Sequence, residues 1–275
     1  MKNFYIITNL LKDADYEITN KIKGIIEEQG GVCFLCNDEE NMKEEVAKNQ
    51  IDYVLVIGGD GTLIQASRQL YELEVPLLGI NMGTLGYLTE VEVQNVESAI
   101  TQIMERNYTV DNRMMLYGST TEKSRNVALN DIVVTRGGAL RIVNFHLYVN
   151  GQFLNSYNAD GIIVSTPTGS TAYNLSAGGP IVEPNASLIV VTPICSHALN
   201  SSSIVFSDKD EIVIEIGQRR EGQIDDALIS FDGMDTAVLK TGESIRIKKA
   251  HQTAKIMKLS RISFLETLRE KMKGN

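Results

Sequence analysis

Residues 53–70 read Tyr53-Val-Leu-Val-Ile57, then Gly58-Gly59-Asp60-Gly61-Thr62, then Leu63-Ile-Gln-Ala-Ser-Arg-Gln-Leu70. Five consecutive apolar residues mark a strand buried on both faces, as in a parallel sheet. Leu63, Ile64, Ala66 and Leu70 then return at helical spacing. Between the two the chain must change direction within a few residues, and three glycines supply the freedom to do so. Strand, glycine turn and helix form one limb of a β-α-β unit, which predicts an α/β domain around it.

Working upstream, Phe4–Thr8 is a short apolar run, and Ile18, Ile22, Ile25 and Ile26 recur at helical spacing before Gly30-Gly31. Val32–Leu35 reads as a further strand. Downstream, Pro76–Ile80 reads as another buried strand, and Asn95 is placed to cap a helix carrying Val96, Ala99, Ile100 and Ile103. This rhythm predicts a doubly wound α/β domain with a mostly parallel sheet over residues 1–108. The period changes beyond Tyr108. Phe145, Leu147 and Val149 alternate with His146 and Tyr148, and Asn150-Gly151 follows as a favoured hairpin turn. Leu188–Val191, Ile212–Ile216, Leu228–Phe231 and Ile245–Ile247 are short and rich in β-branched residues, so residues 109–258 are expected to form an all-β domain. Ser263-Phe-Leu-Glu266 is a capping box, with Leu265, Leu268 and Met272 on one stripe of the helix it opens. A helix that short is marginal alone, so residues 259–275 are expected to dock back, on the N-terminal domain.

The 275 residues carry 26 Lys+Arg against 35 Asp+Glu, a net charge of −9, which argues against coating nucleic acid or an anionic membrane. A small anionic ligand is compatible with that balance, because a few amides and local charges suffice to hold it. With 43% hydrophobic and 22% charged residues the chain has enough apolar surface for a core. Three cysteines, Cys33, Cys36 and Cys195, are too few for a disulfide framework and fit a reducing, cytoplasmic compartment. Cys33 and Cys36 lie in a strand-like run that alternation turns to opposite faces, against a shared zinc or redox role. The N-terminus lacks a signal-peptide cleavage pattern, and no window approaches the roughly 20 apolar residues of a membrane span.

Gly58–Gly61 lets a backbone approach a phosphate closely, and the helix behind it contributes unpaired amides and a positive dipole end. An aspartate in such a loop has three available tasks: accepting a hydroxyl proton, holding a divalent cation, or capping the helix. A second cluster opens with Asp160-Gly161 and continues as Ser165-Thr-Pro-Thr168-Gly-Ser170-Thr171-Ala172-Tyr173. Its hydroxyls suit sugar and phosphate oxygens, and Tyr173 offers a flat face to a base. Serine- and threonine-rich turns are also ordinary loop material. Asn130-Asp131, heading the run Ile132–Val134, reads alone as a turn. No G-x-x-x-x-G-K-[ST], no G-x-G-x-x-G after a strand and no protein-kinase signature occurs, so any phosphate site here uses another architecture.

Together these residues resemble the NAD kinase family. The likeness rests on Gly58–Gly61, on Asn130-Asp131, on Asp160-Gly161 with Thr166–Tyr173, on Pro193–Leu199 and on Ser230-Phe231-Asp232-Gly233. It implies an α/β domain and an all-β domain with the active site in the cleft between them. It also implies a homodimer or homotetramer. The implied reaction is Mg²⁺-dependent transfer of a phosphoryl group from ATP, or polyphosphate, to the 2′-hydroxyl of the adenosine ribose of NAD. In that reaction Asp60 takes the hydroxyl proton, and Gly58, Gly59 and Gly61 hold the donor phosphates. Mg²⁺ rides on the donor, with no metal ligand assigned to the protein. The implied NAD contacts are Gly61, Tyr87, Asn130, Asp131, Asp160, Thr168, Ser170, Thr171, Ala172 and Tyr173. Asp160 is placed near the nicotinamide end. His197 and Asp232 are further candidates, and His197 has a packing role as its other reading. Asp131 stands where the family usually has Glu, Met234 where it often has Gln, and Asn200–Ser203 lacks the family's Arg-Pro. Two rivals share parts of the pattern: a lipid kinase of the diacylglycerol-kinase type, which has Gly-Gly-Asp-Gly, and a non-catalytic dinucleotide sensor. The charge run Glu39–Glu45 reads as a solvated helix face, and His146 and His251 as surface or structural.

Overall fold

The structure, a computed structural model, describes residues 1–38, 40–83, 86–120, 125–137, 142–196, 202–218, 225–260 and 262–273, and at 235 and 236 the backbone alone. The chain divides into two compact units, one formed by Met1–Arg113 with Gln252–Asn275, the other by Met114–His251.

The first unit alternates as the apolar runs dictate: β1 (Asn3–Thr8), α1 (Glu17–Glu28), β2 (Val32–Leu35), α2 (Met42–Lys48), β3 (Tyr53–Gly58), α3 (Asp60–Leu70), β4 (Leu77–Asn81), β5 (Val91–Glu92) and α4 (Val96–Met104). The strands pair in parallel in the order β2-β1-β3-β4, with Phe4 opposite Tyr53 and Val54 opposite Leu77. Alternation sends Phe4, Ile6, Leu55, Ile57, Leu78 and Ile80 to one face, where Ile22 and Ile26 of α1 and Ile100 and Ile103 of α4 cover them. The buried residues of α2 and α3, Met42, Val46, Leu63, Ala66 and Leu70, are spaced three to four apart along their helices. Asn95 stands at the N-cap position of α4, yet its side chain makes no capping bond, because a 3₁₀ turn over Val93–Asn95 already leads into the helix. Glu45 differs from a purely solvated charge, since its carboxylate accepts the Tyr5 hydroxyl.

The second unit is a two-layer β structure. It contains β6 (Thr109–Ser119), β7 (Arg125–Ala128), β8 (Asp131–Arg136), β9 (Val143–Val149), β10 (Gln152–Ala159), β11 (Gly161–Ser165), the single-turn helix α5 (Tyr173–Ser176), β12 (Leu188–Ile194), β13 (Ile204–Ser207), β14 (Ile212–Gly217), β15 (Asp226–Phe231), β16 (Met234–Lys240) and the start of β17 (Ser244–Lys258). One layer is the antiparallel sheet β13-β12-β11-β8-β15-β16, and in the other β10, β9, β14 and β17 neighbour one another. Phe145, Leu147, Ile212, Ile214, Ile245 and Ile247 meet Ile132, Val134, Ile162, Val164, Ile189 and Ile229 in a common core. Asn150-Gly151 makes the β9–β10 turn with both φ angles positive, 51° and 79°, the conformation of a tight hairpin turn.

Both limits suggested by the sequence, near 108/109 and 258/259, lie at strand ends and not at the passage between the units. β6 and β17 each begin in one unit and end in the other. In the first unit β17 pairs in parallel with β4, Ile256 opposite Leu77, and buries Ala254, Ile256 and Met257. The last helix, α6 (Phe264–Met272), has the expected capping box between Ser263 and Glu266. The helix belongs to the first unit, and of its apolar stripe Leu268 is half-buried while Leu265 is 71% and Met272 72% exposed.

Candidate functional site

In the first unit the strand order reverses at β1 and β3, since the chain leaves β1 toward β2 on one side and returns to β3 on the other. Open α/β sheets bind ligands beyond the carboxyl ends of their strands at such a point. A pocket of about 630 Å³ lies there, walled by Asn9, Lys12, Tyr16, Gly59, Gly61 and Thr62 among others. Of the glycines expected to hold phosphate, Gly59 and Gly61 line it and Gly58 does not.

Asp60 is the first residue of α3, and its carboxylate neither caps that helix nor stands open. Oδ2 accepts the amide of Tyr87 at 2.7 Å, while Oδ1 accepts the amides of Leu88 and Thr89 at 3.2 and 2.9 Å and the Thr89 hydroxyl at 3.0 Å. The loop reaches this carboxylate only because Gly86 has no side chain, since a Cβ there would lie 1.9 Å from Asp60 Oδ1. An ionised carboxylate offers about four acceptor sites. Among the described residues three donors crowd Oδ1, and Oδ2 keeps a free lone pair. Tyr87 thus belongs to the Asp60 loop, and its ring lies 5.6 Å below the ammonium of Lys271 on α6. Among the described residues no group of three His, Cys, Asp or Glu side chains could hold a metal ion.

In the second unit a pocket of about 370 Å³ brings together Asn130, Asp131, Ala172, Tyr173 and Asp232, five of the residues singled out from sequence. The pleat of β8 explains the placing. Ile132 and Val134 point into the core, so Asp131, Val133 and Thr135 face outward and floor the pocket. Asp232 has a task the sequence did not suggest. With Gly233 it forms a two-residue turn between β15 and β16, φ 51° and 82°. Its carboxylate accepts the backbone amides of Leu129, Asn130 and Asp131 at 2.8, 2.7 and 3.1 Å. This clamp presents Asn130 and Asp131. Neither of those side chains has a hydrogen-bond partner among the described residues. Asp131 is 4% exposed, and burial, then the charge of Asp232, push its carboxyl up to about 7.

The hydroxyl-rich segment is mostly used internally, in contrast to its reading as a row of ligand contacts. Ser165 bonds the carbonyls of Asn130 and Thr166, and Thr166 bonds the Leu129 carbonyl while accepting the Gly169 amide. Ser170 is fully buried and spans Pro167 and Val182, donating to carbonyl oxygen and accepting the Val182 amide. Thr171 reaches the Thr168 carbonyl at 3.4 Å. These bonds lock the 3₁₀ turn Thr168–Thr171 against Asn130, where a Cβ on Gly169 would lie 2.1 Å from the Asn130 carbonyl oxygen. Thr168 is the exception, its hydroxyl being buried without a partner among the described residues. Asp160 is engaged by Arg136, whose Nε lies 2.9 Å from Oδ1 and whose amide donates to the Asp160 carbonyl at 2.9 Å. His197 lies outside the described residues.

A Gly-Gly-Asp-Gly turn at the switch point of a parallel sheet, together with an all-β unit presenting Asn130 and Asp131, defines a two-domain kinase. Residues 4–108 match the family model of the ATP-NAD kinase N-terminal domain and residues 129–259 that of the ATP-NAD kinase C-terminal domain, and the chain belongs to this family. It is 50% identical to the NAD kinase of Agathobacter rectalis over a 283-residue alignment spanning 100% of this chain and 99% of the relative. To the NAD kinase of Lachnospira eligens it is 44% identical over 293 aligned positions, 99% of this chain and 100% of the relative. Its fold matches yeast NADH kinase complexed with NADH, with TM-score 0.89 at 22% identity, over 100% of this chain and 88% of that one. It also matches an NAD kinase from Archaeoglobus fulgidus in complex with ATP, with TM-score 0.81 at 24% identity, over 99% of each chain.

Proposed function

We propose that this chain transfers the terminal phosphoryl group of ATP to the 2′-hydroxyl of the adenosine ribose of NAD, giving NADP and ADP. The observation that carries the reading is the pocket beside Tyr173, into which the Asp232 clamp presents the unpartnered Asn130 amide and Asp131 carboxyl. A ribose offers hydroxyls to both, and a base can lie on the half-exposed ring of Tyr173. Thr168, with its spare hydroxyl, and Ala172 complete the adenosine side, while Ser170 and Thr171 act by holding the turn. Asp160 and Tyr87 remain assigned to the NAD molecule, and Gly59 and Gly61 to the donor phosphates, with Gly58 shaping the turn behind them.

In the transfer, the ribose oxygen forms its bond to the γ-phosphorus as the bond to the bridging oxygen breaks, and ADP leaves with that electron pair. The free lone pair of Asp60 Oδ2 accepts the hydroxyl proton. A loose transition state asks little early proton abstraction, so positioning matters more than the strength of the base. Among the described residues no group of three His, Cys, Asp or Glu side chains could hold a metal ion, so Mg²⁺ would arrive with the donor and take no ligand from this unit. When bound it supplies charge neutralisation on the transferring group. The same family resemblance supports a homodimer or homotetramer, to be measured by sedimentation equilibrium, and the three free cysteines suit a reducing, cytoplasmic setting.

The test is an assay for NADP with NAD, Mg²⁺ and either ATP or inorganic polyphosphate, run beside diacylglycerol with ATP. NADP formation with ATP is the expected result. Phosphorylation of the lipid, or NAD binding with no NADP from either donor, would overturn the reading.

A further inference from the structure

A chain of net charge −9 that handles a triphosphate needs a local positive field, and the glycine loop alone supplies only amides. We infer that Lys12 is that field: a donor-phosphate ligand facing the Gly58–Gly61 turn from the end of β1. This rests on the kinase reading above.

The geometry comes from the junction of β1 and β3. The Asn9 amide donates to the Ile57 carbonyl at 2.9 Å, and its side-chain amide donates to the Thr62 hydroxyl at 3.1 Å. Asn9 then folds the next three residues around itself. Its Oδ1 accepts the Leu11 amide at 3.0 Å and its carbonyl accepts the Lys12 and Asp13 amides at 2.9 and 3.1 Å. The turn bearing Lys12 is therefore bolted to the residues that open α3. The Lys12 ammonium donates to the Met82 carbonyl at 3.1 Å, and it lies 3.5 and 3.6 Å from where Cβ atoms on Gly59 and Gly83 would be. It thus bridges the turns that follow β1, β3 and β4, in the lining of the 630 Å³ pocket.

Two of the three ammonium protons are left over for a ligand. The acidic neighbours do not compete for them. Asp13 turns its buried carboxylate to the start of α1, accepting the Ile18 and Thr19 amides and the Thr19 hydroxyl. Asp38, on the pocket wall, accepts the Glu40 amide and the Asn41 side chain. No carboxylate among the described residues forms an ion pair with Lys12. An exposed ammonium held over glycines at a sheet switch point suits the terminal phosphates of a nucleoside triphosphate, where it offsets charge that passes to the leaving oxygen of ADP.

The experiment compares wild type with K12M, which keeps the stem, and K12R, which keeps the charge. Lys12 is exposed, so both variants should melt with the wild type. K12M is expected to raise KM for ATP roughly 10- to 100-fold, the span of a charge-assisted hydrogen bond, with KM for NAD within about twofold. K12R should recover most of that loss. Without NAD, the stabilisation of wild type against heating by a non-hydrolysable ATP analogue should disappear in K12M. An unchanged KM for ATP, a rise in KM for NAD instead, or a K12R no better than K12M would overturn the assignment. Failure of the wild type to make NADP would instead overturn the kinase reading, and the analogue measurement tells the two failures apart.

Discussion

Asp60 serves two tasks with one carboxylate. Its acceptor bonds to Tyr87, Leu88 and Thr89 tie the loop to α3, and the remaining lone pair is the one assigned to the ribose hydroxyl. Asp60→Asn keeps one acceptor oxygen and turns an amide donor toward backbone N–H groups. Turnover should fall at least roughly 10²-fold with KM for NAD little changed, and the loss of loop bonds should lower stability by about 1–3 kcal/mol. Turnover near wild type would refute the base role, while unchanged melting would refute the tie. Asp131 gives the opposite sign of stability effect. Its folded pKa, about 7, is above that of an unfolded aspartate near 3.8, so the native state binds the extra proton. Stability from this residue therefore falls as pH rises from about 4 to about 7, and above that the buried charge costs up to about 4 kcal/mol at 1.36 kcal/mol per unit. Asp131→Asn should raise the melting temperature at pH 8, with the gain fading toward pH 4. A gain independent of pH would show that the burial of charge is not the cause.

At the scale of elements, the site is made by turns more than by strands. The Asp232-Gly233 turn and the Thr168–Thr171 turn grip the same Asn130 backbone from two sides, one by carboxylate and one by close approach of Gly169. Gly169→Ala would place a Cβ inside the Asn130 carbonyl, so the turn must move. The expected cost is about 1–3 kcal/mol, read by urea unfolding, together with a raised KM for NAD. Unfolding at the wild-type midpoint would mean the contact yields easily. The strand–helix identity of Tyr53–Leu70 was legible because buried parallel strands and helical stripes leave periods in the sequence. The work of Ser165, Thr166 and Ser170 was not, because a hydroxyl's composition is the same whether it meets a ligand or a carbonyl. Asn95 misled for a related reason: a cap is an option that neighbouring turns take up or leave.

For the whole molecule, the ends of the chain carry unequal weight. Residues 252–258 complete the parallel sheet beside β4, and the Leu259 amide is fastened to Glu90. A chain ending at Ala250 should lose cooperative unfolding of the first unit. One ending at Arg261, which removes only α6 with its mostly exposed stripe, should melt within a few degrees of the intact protein. Comparable losses from both truncations would show that α6 supports the first unit. The split of the chain into an α/β part and a β part, the glycine turn and the absence of other nucleotide signatures all follow from local periods and motifs, since those express neighbours along the chain. Which hydroxyls are spent, what Asp232 holds, which oxygen of Asp60 stays free and what Lys12 faces were decided by tertiary structure alone. The partners of Thr166, Asp232, Asp60 and Lys12 lie tens of residues away, brought together by strand order and register, and no window of sequence records that distance.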